Sequence, residues 1–478
     1  MRVWRLPLKY LLPAAGAIIL VCAALLFVLI PGRPPRPTII LISLDTLRAD
    51  RLGCYGCPTG TSPNIDAFSR DGVQFMQAIS QAASTATSHM SLFTGLLPPV
   101  HRVSSWLRFP DRAKQLNLSS LGAGIPTLAQ YLKENGYRTI GLHNGGLVSP
   151  FFGFDRGFDR YTTKRIPWQQ LYKSPAPLQF IEKLLHRARV TQEPLFLFLH
   201  TYICHDPYIK APRQIRERFL PDPEPGLPIE WDDSKASFDV RHASFWQAID
   251  GKKKAHRRHV RALYDAGVGY ADWIFGEITA LLKRDGSYEK SLIALVSDHG
   301  EEFWEHGDTL HKFLWIETLH VPLLIKFPGG EYGGRKIGTP VGQFDLMPTL
   351  LDYLRITPRL KPQARSLLPQ LRGNGKAPGQ VISFDDGLQF VRIQRDGFVY
   401  SNGIQHKPGQ WLFDSTQDPG EQHNLAAANS RVARRMTALA ARITGENHAL
   451  HSRIKAGVPD LRKLPEALRK QLKALGYL

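Results

Sequence analysis

Cysteine is scarce in this chain of 478 residues, which contains four. So few thiols exclude a small fold held together by disulfides, and Cys22 lies inside an apolar run. Cys54 and Cys57 form a C-x-x-C that could close a small disulfide in an oxidising compartment. There is no second pair to complete a zinc site and no thioredoxin-like context. We therefore expect this pair to have a structural role, and Cys204 to be inert packing.

The sequence also lacks internal repeats and long low-complexity segments. With 43% hydrophobic and 22% charged residues it is globular in composition, and its length predicts a large domain with a smaller appendage. Lysine and arginine exceed aspartate and glutamate by 61 to 42, a net charge of +19 that favours anionic partners. No nucleic-acid-binding motif accompanies this charge, so we expect no nucleic-acid partner. We interpret the densest basic cluster, residues 252–258, as a solvated helix or loop face.

One long hydrophobic run is present. Leu11 to Ile30 carries no charge and, at about 1.5 Å per residue, can cross a hydrocarbon core of about 30 Å. The preceding Arg2, Arg5 and Lys9 place the N-terminus in the cytoplasm and the rest outside, periplasmic or extracellular. The alternative is a cleaved signal peptide, although the run is longer than a usual signal core and no clear cleavage site follows. We predict a cytoplasmic stub (1–9), a transmembrane signal anchor (10–31) and a linker (32–37).

Three unbroken apolar runs predict buried strands: Ile39 to Ile42, Leu195 to Leu199 and Leu292 to Val296. Apolar character without alternation suits a parallel α/β sheet covered on both faces. Functional residues of such sheets collect at the carboxyl ends of the strands. Asp45 follows the first run, His200 and His205 the second, and Asp298 and His299 the third.

Beyond about Leu360 the pattern changes to shorter strand-like pieces followed by an amphipathic helix from about 430 to 450. The strand-like pieces are 380–384, 390–394 and 398–401. This change predicts a smaller α+β unit. We therefore expect a catalytic domain over 38–358 and a C-terminal subdomain over 359–478.

Asp45, Asp298 and His299 are residue types that hold a divalent cation. A mixed set of carboxylates and imidazole favours zinc or manganese, with calcium or magnesium possible. Taken alone, an Asp-His-Gly tripeptide does not distinguish a ligand set from a capping aspartate and a core histidine.

A hydroxyl-rich stretch from Ser84 to Gly95 opens a predicted helix, and here the chain resembles the sulfatase family. In that family the nucleophile begins this helix, at the position of Thr85. Further segments resemble the family's signatures in order: 44–53, 61–66, 200–208, 297–302, 305–307, 311–312, 320–325, 345–351 and 412–426. The resemblance implies an alkaline-phosphatase-like fold, in which helices sandwich a mixed, mostly parallel sheet. It also implies a metal-dependent enzyme that cleaves sulfate or phosphate esters.

Two departures from the family pattern bear on the chemistry. Sulfatases carry Cys or Ser at the Thr85 position, with Pro two residues on and Arg four on, where this chain has Thr87 and His89. Formylglycine is therefore not expected. The usual Asp-Asp and Asp-Asn metal pairs read Asp45-Thr46 and Asp298-His299. Both changes resemble the phosphotransferase branch, where a threonine is phosphorylated and passes the group to water or an alcohol.

The resemblance implies a role for each candidate. Thr85 would attack phosphorus or sulfur and form a covalent ester, and would join Asp45, Asp298 and His299 around the metal. His205, His311 and Lys312 would neutralise non-bridging oxygens or protonate the leaving group. His200, His306 and His89 would bind substrate. His143 and Asn144, after another strand-like end, are weaker candidates, and Arg48 and Arg51 are expected to pair with carboxylates.

Three functions stay open. The first is a phosphotransferase or phosphodiesterase at the outer membrane face, acting on a phospholipid head group or a phosphorylated or sulfated glycan. The second is a strict sulfatase that works without formylglycine, and the third is a non-catalytic family member that binds anions. Specificity is expected in the stretches 166–190 and 214–254.

Overall fold

The computed structural model describes residues 36–108, 115–162, 171–230, 238–375, 379–405, 407–454 and 466. The predicted stub and membrane anchor lie outside these residues, so they stay predictions. Within the described ranges, no helix is both long enough and apolar enough to cross a membrane. Residues from Pro37 onward form one compact unit.

The strands up to the middle of the chain are β1 Ile39–Leu44, β2 Val73–Phe75, β3 Ala78–Ile79, β4 Ser104–Arg108, β5 Gln115–Ser119, β6 Arg138–Leu142, β7 Arg160–Tyr161, β8 Leu195–Thr201 and β9 Leu292–Val296. The later strands are β10 Glu302–Phe303, β11 Thr309–Leu310, β12 His320–Val321, β13 Leu323–Lys326, β14 Lys336–Ile337, β15 Val341–Gly342, β16 Gln380–Phe384, β17 Val391–Arg395, β18 Phe398–Ile404 and β19 Lys407–Asp414.

The helices are α1 Pro63–Asp71, α2 Thr85–Thr94, α3 Pro98–His101, α4 Leu128–Glu134, α5 Ala176–Thr191, α6 Arg213–Phe219, α7 Phe238–Ala248, α8 Lys254–Asp285, α9 Ile316–Leu319, α10 Leu346–Tyr353, α11 Leu368–Leu371 and α12 Ser430–Ile454.

The main sheet has eight strands in the order β14-β2-β13-β9-β1-β8-β6-β7. All of them run in one direction except β13, which is antiparallel to both of its neighbours. The three apolar runs singled out above are β1, β8 and β9 at its centre, with β1 between the other two. The expected mixed, mostly parallel α/β sheet is therefore confirmed.

Both faces of this sheet are buried. Along β1, Ile39 and Leu41 join the core on the side of α2, whereas Ile40, Ile42 and Leu44 join the core beneath α1, α5 and α8. Because each residue of the strand faces one of two apolar layers, the strand has no polar alternation. The basic cluster at 252–258 lies at the start of α8, where Lys252, Lys253 and Arg258 are exposed, as expected of a solvated face.

The C-terminal part contains a four-stranded antiparallel sheet, β16-β17-β18-β19, packed against α12. The predicted pieces at 380–384, 390–394 and 398–401 correspond to β16, β17 and β18, and β19 was not predicted. This sheet also contacts the region around α2. The Ser383 hydroxyl donates to the Ser80 carbonyl, and the Phe384 N–H donates to the Gln81 carbonyl at 2.9 Å. The C-terminal sheet therefore holds the segment that precedes α2 in place.

Cys54 and Cys57 are not joined to each other. The Cys57 sulfur lies 3.0 Å from the Thr59 hydroxyl, and the Cys54 N–H donates to Asp66. The pair therefore forms no disulfide here, and the structural role expected of it stays a prediction. Cys204 is buried in the apolar core, as expected.

A buried ion pair gives a test of the C-terminal sheet. Arg392 on β17 pairs with Glu421, and their side chains are 1% and 2% exposed. We expect Arg392→Met to destabilise the protein by about 3 kcal/mol, because it leaves a buried carboxylate without its partner. The control is Arg213→Met, which should leave the unfolding midpoint almost unchanged, since Arg213 pairs with Glu217 at the surface. Urea unfolding of the full chain measures both, and equal midpoints for the two variants would contradict this prediction.

Candidate active site

The carboxyl ends of β1, β8 and β9 meet at one edge of the main sheet. Ser43 on β1 lies level with His200 on β8 and with Val296 on β9. Asp45 therefore emerges from the sheet beside His200 and next to Asp298. All three side chains are fully or almost fully buried. The expectation that these strand ends come together is confirmed.

Asp45, Asp298 and His299 form a cluster able to hold a metal ion, with one ligand atom from each lying within 4.8 Å of the others. Nδ1 of His299 lies 3.0 Å from the carbonyl of Gly300, to which it can donate. A hydrogen bond of this kind fixes the tautomer and leaves the Nε2 lone pair for a cation.

Two carboxylate oxygens of this cluster are not satisfied by hydrogen bonds within the described part of the chain. Oδ1 of Asp45 and Oδ2 of Asp298 are buried without a hydrogen-bond partner among the described residues. Burial raises the pKa of Asp45 well above its usual range, and the Asp298 carboxylate raises it further. Burial also acts to raise the pKa of Asp298, but the imidazoles of His299, His89 and His200 hold it below its usual range. Two buried carboxylates with unpartnered oxygens beside an imidazole nitrogen fit a divalent cation.

Thr85 is the first residue of α2 and is fully buried. Its Oγ1 lies 3.3 Å from Nε2 of His299, so the structure brings the predicted nucleophile to the metal-ligand cluster. The start of a helix presents backbone N–H groups and the positive end of the helix dipole. A sulfate or phosphate oxygen is therefore stabilised at this place.

His89 lies one turn further along α2 and is completely buried. Its Nε2 is 2.8 Å from the Ser43 hydroxyl and its Nδ1 is 2.9 Å from the Thr85 carbonyl. Because both ring nitrogens contact protein atoms and no part of the ring is exposed, His89 is not placed to bind substrate as predicted. It packs behind the cluster and ties α2 to β1.

His200 also supports the cluster from within the sheet. Its Nε2 lies 3.1 Å from Oδ2 of Asp45. Burial lowers the pKa of His200 well below its usual range, and the neighbouring His89 lowers it further. A neutral imidazole in this place orients the Asp45 carboxylate.

His205 and His311 lie beside the cluster. The His311 ring is 4.4 Å from the His299 ring and 5.3 Å from the His205 ring, centroid to centroid. Nδ1 of His311 is 3.2 Å from Oε1 of Glu301, whose pKa burial raises to about 8. These two imidazoles are therefore brought together with the metal-ligand cluster.

Lys312 and His306 make their contacts elsewhere. Nζ of Lys312 donates to Asp308 at 2.7 Å, and its side chain is 45% exposed. Nε2 of His306 is 3.2 Å from Glu317, and the ring stacks on Trp315 at 3.7 Å. Both side chains are held outside the cluster for the same reason, since each pairs with a carboxylate there. Both side chains thus make these polar contacts outside the cluster, and the roles that the sequence suggested for them stay predictions.

The remaining candidates are structural. Arg48 pairs with Asp50 and Glu305, and Arg51 pairs with Asp265, which confirms that these arginines bind carboxylates. His143 is buried and stacks on Tyr161 at 4.1 Å, and its Nδ1 accepts from the Gly145 N–H.

Four site residues were missed by sequence reasoning: Ser43, Asp206, Lys210 and Glu301. Asp206 and Glu301 stand inside the recognised segments 200–208 and 297–302, and Ser43 directly precedes the segment 44–53, so position alone could have drawn attention to them. Lys210 donates from Nζ to the carbonyls of Tyr202, His205 and Asp206 and so fixes the loop after β8. Burial lowers the pKa of Lys210 to about 8, although Asp206 and Asp45 raise it.

The cluster predicts metal binding that does not depend on any assay of activity. We expect the purified full chain to retain a divalent metal and Asp45→Asn to lose most of it, because one of the two buried carboxylates is gone. Asp396→Asn is the control, since Asp396 pairs with Arg395 and Arg435 at the surface. Elemental analysis measures the metal, and an added chelator should lower the melting temperature of the wild type and of the control only. Equal metal content in all three proteins would contradict the assignment.

Comparison with known proteins identifies the family. A sequence model of the sulfatase family matches residues 37–356. Human iduronate 2-sulfatase is 26% identical over 389 residues, covering 70% of this chain and 68% of that protein. The multifunctional alkaline phosphatase superfamily protein PehA of Trinickia caryophylli is 25% identical over 475 residues, covering 82% of this chain and 91% of that protein.

A solved structure agrees with this result. The phosphonate monoester hydrolase of Agrobacterium radiobacter superposes with a TM-score of 0.65 at 22% identity, covering 87% of this chain and 96% of that chain. This likeness shows the shared fold. Since the family model spans most of the chain, the protein belongs to the sulfatase family of the alkaline phosphatase superfamily and is an ester hydrolase.

Proposed function

We propose that this enzyme cleaves a phosphate ester through a covalent intermediate on Thr85, and that it passes the phosphoryl group to water or to an acceptor alcohol. The observation that supports this most directly is the place of Thr85. A fully buried threonine begins α2 with its hydroxyl 3.3 Å from His299, at the position where sulfatases have Cys or Ser. The side chains that replace the usual Pro and Arg of the formylglycine pattern are Thr87, which donates to Asp386, and the buried His89.

The residues around Thr85 have different roles in metal binding, orientation and stabilisation of the transferring group. Asp45, Asp298 and His299 would hold the metal, with zinc or manganese favoured by the ligand types. When bound, a divalent cation there would lower the pKa of the Thr85 hydroxyl and neutralise charge on the transferring group. His200 orients the Asp45 carboxylate, and His89 holds α2 against β1. The start of α2 offers N–H groups to a non-bridging oxygen.

The bonds change in two steps. Oγ1 of Thr85 loses its proton to solvent and attacks phosphorus, and the bond from phosphorus to the leaving oxygen breaks. The departing alkoxide takes a proton from an imidazole, for which His205 and His311 are the nearest candidates. Water or an alcohol then attacks the phosphorus and releases Thr85, and the same imidazole accepts the incoming proton.

A strict sulfatase is the second candidate. It is favoured by the sulfatase names of relatives such as the human iduronate 2-sulfatase, and a sulfated glycan would then be the substrate. The same residues would act on sulfur in place of phosphorus. The third possibility, a non-catalytic anion-binding member, would require a cluster that holds no metal.

Thr85 provides the decisive test. We expect the full chain, incubated with nitrophenyl phosphate, to gain the mass of one phosphoryl group on Thr85. Thr85→Ala should abolish the adduct and lower the rate by more than about 1000-fold, since the nucleophile is gone. Thr94→Ala, at the far end of the same helix, is the control and should keep both. A sulfuryl adduct formed from nitrophenyl sulfate would favour the sulfatase instead, and an unmodified protein with both esters would contradict covalent catalysis.

We further propose that residues 10–31 anchor the enzyme in a membrane with the catalytic part outside, so that a phospholipid head group or an anionic glycan is within reach. Wild type should stay in the membrane pellet after extraction with high salt and alkaline carbonate. A variant with both Ile19→Arg and Leu20→Arg should be released, because each charge at the centre of a span costs about 3 kcal/mol. Release of the wild type by salt alone would show that the net charge of +19 holds the protein at the surface instead.

A further inference from the structure

Asp206 is a buried carboxylate that contacts three aromatic nitrogens from two parts of the chain. Its Oδ1 lies 2.9 Å from Nδ1 of His205, the residue before it. Its Oδ2 contacts Nε2 of His242 and accepts from Nε1 of Trp246 at 3.2 Å. The side chain of Asp206 is 5% exposed and that of His205 is 2% exposed. Such a carboxylate has a defined orientation, because both of its oxygens are engaged.

The charge of the Asp206 carboxylate is suited to orienting a neighbouring imidazole. Burial raises the pKa of Asp206, but the imidazoles of His205 and His242 hold it well below its usual range. Asp206 therefore stays ionised at neutral pH. An ionised carboxylate at Nδ1 fixes the orientation of an imidazole ring and stabilises the protonated form that a general acid needs.

The His205 ring contacts this carboxylate and also packs near a histidine that flanks the metal-ligand cluster. Its neighbour on the cluster side is His311, 5.3 Å away ring to ring, and His311 in turn lies 4.4 Å from His299. The loop that carries His205 and Asp206 is fixed by Nζ of Lys210, which donates to three of its carbonyls. The ring therefore has a fixed place beside the site where an ester would react.

Helix α7 supplies the outer part of this arrangement. His242 and Trp246 stand four residues apart, on one face of the helix, and both contact Oδ2 of Asp206. The His242 side chain is 24% exposed, whereas Asp206 beneath it is buried. Helix α7 lies inside the stretch 214–254, where specificity is expected and which contains none of the recognised segments.

We propose that Asp206 is the positioning residue of His205. His242 and Trp246, both on α7, hold the Asp206 carboxylate in its orientation, and His205 delivers the proton to the leaving alcohol. The inference rests on the proposed function and deepens it, since it assigns the general acid and links it to the segment expected to determine specificity. In the transfer, the proton on the His205 imidazole moves to the alkoxide oxygen as its bond to phosphorus breaks. Asp206 keeps its charge throughout and does not exchange a proton.

A series of leaving groups tests this assignment, because an ester with a good leaving group hardly needs a general acid. The probes are nitrophenyl phosphate, phenyl phosphate and ethyl phosphate, and the proteins are the full-length wild type and Asp206→Asn. We expect Asp206→Asn to lose about 100-fold in kcat on ethyl phosphate and less than about 10-fold on nitrophenyl phosphate. KM should change little in either case. Asp250→Asn, which removes a carboxylate that accepts from the Lys252 N–H, is the control and should resemble wild type.

Further variants distinguish positioning from damage to the fold. His205→Gln should show the same dependence on the leaving group, and the double variant with Asp206→Asn should be no slower than His205→Gln alone, because both changes remove one function. His242→Asn should show a smaller loss of the same kind. The melting temperature and bound metal of each variant should match those of the wild type.

Three outcomes would overturn the inference while leaving the proposed function standing: an equal loss across the series, no loss at all, or additive effects in the double variant. A wild type that cleaves none of the three phosphates would overturn the proposed function, and the inference with it.

Discussion

Two carboxylates that share a buried pocket impose the constraint on which the rest of the site depends. Asp45 and Asp298 each present an oxygen without a hydrogen-bond partner among the described residues, and both side chains are fully buried. In surroundings of low polarity, their mutual repulsion is large unless a cation lies between them. The surrounding histidines, His200, His89 and His299, each contact one of these carboxylates. The architecture near the cluster thus serves to keep two negative groups close together.

The main sheet makes this arrangement possible because β8, β1 and β9 are adjacent and parallel, so the residues after them emerge at one edge. Helix α2 then brings Thr85 over the cluster, and its register is fixed at three points. His89 contacts Ser43, the Ser88 hydroxyl donates to the Asp298 carbonyl, and Thr87 donates to Asp386 of the C-terminal part. Asp386 follows β16, so Thr85, the proposed nucleophile, is positioned by both sheets and not by the main sheet alone.

Much of the fold could be predicted from the sequence, because it depends on local patterns. Unbroken apolar runs identified β1, β8 and β9, and the rule that strand ends collect at one edge then brought Asp45, His200 and Asp298 together. The reversed direction of β13 and the strand β19 were not foreseen. The direction of a short apolar strand is decided by its neighbours, and β19 begins with a polar stretch, Lys407 to Gln410, that carries no strand pattern.

The roles of individual side chains were less accessible, because a residue type does not tell which way a side chain points. His89, His306 and Lys312 have suitable chemistry, yet one is enclosed behind α2 and the other two are held by carboxylates that lie outside the cluster. The link from His205 through Asp206 to His242 joins the recognised segment 200–208 to a residue 37 positions beyond His205, outside the recognised segments. A resemblance transfers only those residues that match a shared motif. Since His242 and Trp246 lie outside the recognised motifs, the resemblance could not have indicated their contact with Asp206, which the fold alone brings about.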